Sequence, residues 1–248
     1  MGRFVTIVGE PPPYIVTATD YAGTDDYFTA SSNTTPNGKD GTILVFVRYD
    51  GGVASQRVWT IHDSGTPASF RLGRNGSNFP FVAIDSSAGA VNSLDLRSNS
   101  TVTNDGLWHS LLMSWNVTTG FGQFYQDDVA VTNLVSATNV NLRYGGAATT
   151  IAGTEGSPPS GDFNGCMCMA GFWTSAIDLS VTANRRKFIT ASNKPADLGT
   201  DGSVPFGSQA RLFSRSGRWD TDETGSSFGS FTLQPGSTVG PCSNSPSD

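Results

Sequence analysis

Hydrolysis of a glycosidic bond needs two carboxyl groups flanking the sugar, and alternate positions of one strand are a simple way for a sheet to supply them. This chain of 248 residues has three glutamates, Glu10, Glu155 and Glu223, far apart in sequence and set in stretches that read as arms or loops. No Glu-x-Asp-x-Glu occurs. The pairs Asp25-Asp26 and Asp127-Asp128 are adjacent, so on a strand their side chains diverge, and they suit turns better. The only histidines, His62 and His109, lie outside any activated-serine motif, which leaves no Ser-His-Asp constellation. The residue types therefore predict a protein without catalytic residues.

Cys166, Cys168 and Cys242 make an odd count that cannot close a disulfide framework. Cys166 and Cys168 alternate with Met167 and Met169, so in a strand both sulfurs face one side and suit packing. No histidine is near enough in sequence to complete a zinc site. Cys242 can pair with either of the other two. For calcium the loop "DTDE" (220 to 223) offers a sparse oxygen set, and no other cofactor or metal is expected.

Binding without chemistry is the stronger prospect. Trp59, Tyr144 and Trp219 stand near polar, turn-prone sequence where a ring can stack on a sugar. Trp59, within "RVWTIHD", suits a core better than a sugar platform, because large aromatics are usually well buried. Trp219, within "SGRWDTDETG", has no apolar neighbours, so an exposed or partner-contacting ring beside Arg218 is expected.

Charge narrows the partners. A formal net charge of −6 argues against nucleic acid, which asks for a basic face. The one basic run, Arg185-Arg186-Lys187, reads as a solvated helix face. No apolar stretch approaches the roughly 18 residues of a membrane span, so no membrane insertion is expected. "MGRFVTIVGEPPPYIV" lacks a secretory pattern, which predicts synthesis and assembly in a cytoplasm.

The elements that must position these residues are strands. Charged residues make up only 15% of the chain and glycine supplies 29 positions, a turn-rich and helix-poor balance. Short β-branched and aromatic runs recur between Gly, Asn, Asp, Ser and Pro: "TILVFVRY", "RVWTI", "FPFVAID", "SLDLRS", "HSLLMSWN", "GQFYQDDVAV", "VNLRYGG", "CMCMAGFWTS" and "ARLFSR". That cadence predicts an all-β sandwich or jelly roll. "TILVFV" is apolar on both faces and should be a covered central strand, whereas "SLDLRS" alternates and should have one wet face. A single helix of about two turns is expected over 180 to 192, capped by Ser180. Residues 1–13, ending in three prolines, read as an extended arm, 14–215 as one domain, and 216–248 as a Gly/Ser-rich tail held by partner subunits.

In "DGLWHSLLMSWNVTTGFGQFYQDDV" (105 to 129) the alternation puts His109, Leu111, Met113 and Trp115 on one face. It makes His109 a core residue satisfied by a backbone carbonyl. Val117 to Phe121 fits a hairpin loop with Gly120 free to take positive φ, and Asp127-Asp128 fits a tight turn.

This stretch resembles the laminin-G-like, concanavalin A-like module, with Asp105, Gly106, Trp108, His109, Trp115, Tyr125 and Asp127 on its pattern and Asp128 where that pattern has glycine. "TDYAGTDDYF" (19 to 28) and "DFNGCMCMAGFWTSAIDLS" (162 to 180) resemble its first and late strands, so the likeness spans about residues 14 to 190. It implies a jelly-roll sandwich. "DLSVTANRRKFITASNKPADLGTDGSVPFGSQARLF" and the terminal "SPSD" resemble the C-terminal part of laminin-G-like proteins of tailed bacteriophages and prophages. That implies a non-enzymatic virion structural protein, a surface decoration or a tail or fibre component. It would be a homo-oligomer on the virion surface, joined to other virion proteins through its arms. The alternative is an adhesin for host-surface glycans, a role that can coexist with the first.

Overall fold

The computed structural model describes residues 14–23, 26–52, 55–62, 69–153, 161–221, 223–225 and 227–247. The expected arm at 1–13 lies outside them, as do Glu10, Asp25, Glu155 and Asp222. In chain order the strands begin with β1 (Thr19–Ala22), β2 (Phe28–Ala30), β3 (Asp40–Tyr49), β4 (Gln56–His62), β5 (Phe70–Arg74) and β6 (Pro80–Ile84). There follow β7 (Leu94–Ser98), β8 (His109–Asn116), β9 (Phe121–Gln126), β10 (Val129–Ala130), β11 (Thr132–Ala137) and β12 (Ala148–Ile151). Next come β13 (Asn164–Trp173), helix α1 (Thr182–Arg185), β14 (Leu212–Ser214), β15 (Glu223–Thr224), β16 (Thr232–Leu233) and β17 (Gly240–Pro241).

The strands form two antiparallel sheets, as the all-β sandwich reading requires. The first runs β10-β9-β8-β3-β13-β1-β17, with β14 and then β15 attached beside β13. The second runs β11-β7-β6-β5-β4-β12-β2-β16. Strand alternation assigns the layers. Ile43, Val45 and Val47 of β3 and Leu111, Met113 and Trp115 of β8 enter the core between the sheets, where they meet Trp59, Leu72, Val82 and Leu96 of the second sheet. The intervening Leu44, Phe46 and Leu112 face outward into a second apolar cluster with Trp173, Leu179, Phe188, Ile189, Leu198 and Phe213. "TILVFV" is thus covered on both faces, because residues 174–213 fold over the outside of the first sheet.

Helix α1 is shorter than expected. It spans Thr182–Arg185 and starts after Val181, with no side-chain cap. Ser180 instead gives its N–H and hydroxyl to Asp178 Oδ1. Phe188 and Ile189 then bury against Trp173 and its neighbours, and an isolated bridge from Ile189 to Pro195 ends the helical path. "VNLRYGG" forms no strand either, since Leu142 makes only isolated bridges to Gly38 and Ser86.

The described residues from 216 to 247 pair with their own sandwich. β16 pairs with β2, β17 pairs with β1, and Cys242 forms a disulfide with Cys166 on β13. That pairing settles the choice of partner and moves Cys166 from the packing role to a crosslink. Cys168, on the same face, is the buried free thiol.

Candidate functional site

Residues 174–213 cover the outer face of the first sheet, whereas the outer face of the second sheet carries a ligand-sized opening. There "SLDLRS" behaves as its alternation predicts. Leu94 and Leu96 enter the core while Asp95 and Arg97 point outward. Register places Arg57, Gly73, Phe81 and Arg97 in one row across β4 to β7, and Thr60, Arg71, Ala83 and Asp95 in the next. The rows frame a cleft of about 170 Å³, closed at its ends by Asn75 from the β5–β6 turn and Asn92 from the β6–β7 loop.

Two small residues make the space. A bulge between Arg57 and Trp59 brings Gly73 so close to β4 that a Cβ there would stand 2.1 Å from the Gln56 carbonyl oxygen. With no side chain on β5 at this point, Arg57 reaches across to β6 and lays its guanidinium 5.0 Å from the centroid of the Phe81 ring. In the second row Ala83 separates Arg71 from Asp95 and forms the floor.

The acceptors around this cleft already have partners. Asp85 Oδ1 takes Arg71 Nη2 at 3.0 Å and the Asn92 N–H at 2.8 Å. Arg97 holds both Asp95 oxygens, at 2.8 and 2.6 Å. Asn92 Oδ1 accepts from Arg71 Nη2 at 2.6 Å, and Asn75 Oδ1 accepts the Ser77 and Phe79 amides. The donors are less satisfied. Arg71 Nε is buried with no partner among the described residues. Arg57 Nη1 reaches only neutral oxygens of Ser55, Gln56 and Arg74, at 3.3 to 3.4 Å. Burial, and next the charge of Arg71, push the Arg57 guanidinium below its ordinary pKa.

The residues singled out from sequence as sugar-stacking rings are elsewhere. Trp59 and Tyr144 are core residues; Trp59 packs against Phe70 and Phe172, and Tyr144 accepts from Trp115 Nε1 at 2.9 Å while donating to the Asp40 carbonyl. Trp219 is 2% exposed rather than open, against Phe231 at 5.6 Å, and Phe231 stacks on Phe228. Its apolar partners are distant in sequence, so its polar neighbourhood misled. Arg218 holds Asp220 with both ends of its fork. Glu223, half-buried, is pushed up to about 7 by burial, which disfavours the anionic form a calcium ligand needs. Among the described residues the one Asp/Cys grouping joins Asp20 to the two disulfide sulfurs, which are not thiolates.

The signature residues organise a corner of the fold. Asp127 and Asp128, at φ 52° and 63°, form the two-residue turn between β9 and β10. The carboxylates explain why glycine is dispensable there. Asp127 accepts the Ser110 N–H at 2.9 Å and holds His109 Nδ1 at 2.7 Å, and Asp105 lies 3.4 Å from His109 Nε2. His109 is thus held by two carboxylates, not by a carbonyl. Burial pulls its pKa down, but Asp127 and then Asp105 outweigh this and leave it raised. Asp128 binds Arg185 Nε and Arg186 Nη2, each at 2.6 Å, so the basic run is an anchor and not a solvated face. Gly106 turns the chain at φ 69°, Trp108 Nε1 donates to Asn244, and the Arg185 guanidinium lies over Tyr125.

Sequence reasoning missed Arg57, Arg71 and Phe81. The signal available was the outward-facing alternation of "SLDLRS" extended to "FRLGR" and "PFVAI", where arginine and phenylalanine fall on its wet face.

The model of the concanavalin A-like lectin/glucanases superfamily matches residues 22–180, more than half of the chain, and the protein belongs to that superfamily. No curated protein matches it. Among solved structures it is similar to a native heptameric SAP-like pentraxin from Limulus polyphemus, with a TM-score of 0.55 and 11% identity over 91% of this chain and 94% of the pentraxin. It is also similar to a candidate carbohydrate binding protein from Bacteroides ovatus, with a TM-score of 0.61 and 14% identity over 94% of this chain. This chain spans 62% of the Bacteroides protein. These likenesses show a shared lectin-like sandwich.

Proposed function

We propose that this protein is a non-enzymatic saccharide-binding sandwich on the surface of a tailed-phage particle, engaging its ligand in the cleft over β4 to β7. The cleft carries the reading: fixed polar donors, Arg57 among them with Phe81 behind it, line an opening on the outer face of the second sheet, while residues 174–213 cover the outer face of the first. The name of the Bacteroides protein is in keeping with a saccharide ligand.

The absence of catalysis is argued from the groups at the cleft. The outward positions of β7 are Asp95 and Arg97, which neutralise each other, where a glycosidase would need two carboxyls. Glu223, the carboxyl with a pKa near neutrality, belongs to β15 on the other sheet. The particle setting rests on the phage-like C-terminal sequence. The Cys166–Cys242 bond fits a protein that works in oxidising surroundings outside a cell. Homo-oligomerisation and contacts with other virion proteins belong to the same proposal.

The test titrates the full chain with a panel of neutral and acidic oligosaccharides, assays new reducing ends, and adds the protein to particles that lack it. Saccharide binding without cleavage, together with uptake onto particles, is expected. Failure to bind any saccharide contradicts the binding reading, cleavage of one contradicts its being non-enzymatic, and failure to join particles contradicts the setting.

A further inference from the structure

We infer that the ligand is an acidic saccharide, whose carboxylate, sulfate or phosphate sits between Arg57 and Arg71. The inference rests on the proposed saccharide cleft and specifies what it selects.

The argument is one of donors and acceptors. A neutral sugar presents hydroxyls that both give and take hydrogen bonds, so a site built for it needs acceptors as well as donors. Here each of the lining acceptors already takes a protein donor: Asp85 Oδ1 takes Arg71 and Asn92, both Asp95 oxygens take Arg97, and the Asn75 and Asn92 side-chain oxygens take backbone amides or Arg71. Donors remain among the described residues. They include the Arg57 guanidinium, which touches no carboxylate, the buried Arg71 Nε, and the amide nitrogens of Asn75 and Asn92. The guanidinium forks of Arg57 and Arg71 suit the planar oxygens of a carboxylate or the oxygens of an ester anion.

Charge points the same way. The lining holds Arg57, Arg71 and Arg97 against Asp95, with Asp85 just behind Arg71, in a protein of net charge −6. Arg71 repels the Arg57 guanidinium, and burial raises the cost of keeping Arg57 charged. An anion between them relieves the repulsion and supplies the missing acceptors. Phe81 beneath Arg57 holds the guanidinium at the cleft wall, where it can meet the anion.

The test measures binding of trigalacturonate, its methyl ester and a sulfated trisaccharide to the full chain and to Arg57→Gln, Arg57→Lys and Arg218→Gln. We expect an acidic trisaccharide to bind the unmodified chain at least about tenfold more tightly than the neutral ester, the scale of one hydrogen bond to a charged group. Whether the uronate or the sulfated sugar binds more tightly identifies the anion. Arg57→Gln should abolish the preference, Arg57→Lys should retain part of it, and Arg218→Gln should leave it intact. Equal binding of ester and acids, or a preference that survives Arg57→Gln with the thermal midpoint unchanged, overturns the inference while the saccharide reading stands. No binding of any of the three, nor of any neutral saccharide in the panel, overturns both.

Discussion

The Arg57 guanidinium lies over the Phe81 ring at 5.0 Å, across a β5 position where Gly73 has no side chain to intervene. Three strands, one bulge and one glycine are needed to bring these residues together, and the cleft exists because they do. The stacking covers the ring, which is 8% exposed, and fixes the guanidinium at the cleft wall.

Gly73→Ala is expected to damage this arrangement directly. The new methyl would stand 2.1 Å from the Gln56 carbonyl oxygen and 3.0 Å from Arg57 Cα, both backbone atoms that cannot swing aside. A loss of about 1–3 kcal/mol is expected, as for other overpacked sites. Urea unfolding of the variant checks it; an unchanged midpoint would mean that β4 and β5 are less tightly apposed.

Reduction should loosen the C-terminal segment. The Cys166–Cys242 bond closes a loop with a sequence separation of 76, for which chain entropy gives about 4.5 kcal/mol of stabilisation as an upper figure. Cys242→Ser should lower the unfolding midpoint and make the unmodified protein's sensitivity to reductant disappear. In the oxidised native protein Cys168 should resist thiol reagents until unfolding, because burial both hides the thiol and raises its pKa well above the ordinary value.

Trp219→Ala is expected to cost about 3–5 kcal/mol, the range for emptying a large aromatic site. The ring sits in the main core with Phe231, so the loss should appear as global destabilisation of the isolated protein, measured by denaturant titration. A surface residue awaiting a partner would show almost none.

Stability should fall as pH rises from about 5 to 8. His109 has a folded pKa above its usual value, so its contribution is complete below about 6.5 and lost as pH rises through the folded value. Glu223, raised from 4.5 to about 7, acts in the same sense: the folded state favours the protonated acid, and that advantage is lost between those values. Asp128 opposes both at the acid end. Burial favours its neutral form, yet Arg186 and Arg185 hold its pKa below the usual 3.8, so its stabilisation is present above that value and lost as pH falls through the folded one. Unfolding free energies across this range, repeated on His109→Gln, test the sign; a slope unchanged in the variant would remove His109 from the account.

Much of the sandwich was legible because strand alternation is a local property. β3 was readable as a two-sided strand, β7 as a one-sided one, and β8 as placing Leu111, Met113 and Trp115 inward. What escaped depended on distant partners. Trp219 looked exposed because its apolar neighbours, Phe228 and Phe231, arrive later in the chain, and Arg185 and Arg186 looked solvated because Asp128 approaches from another hairpin. The cleft was least visible, since Arg57, Arg71 and Phe81 come from three strands and meet only through register.

The central claim is that the outer face of β4 to β7 holds a saccharide, and mapping a bound acidic trisaccharide by amide chemical shifts tests it most directly. Perturbations clustered at Arg57, Arg71, Asn75, Phe81 and Asn92 are the expected result. Perturbations confined to the His109–Asp127 corner or to the turns beyond β8, with this cleft silent, would contradict it.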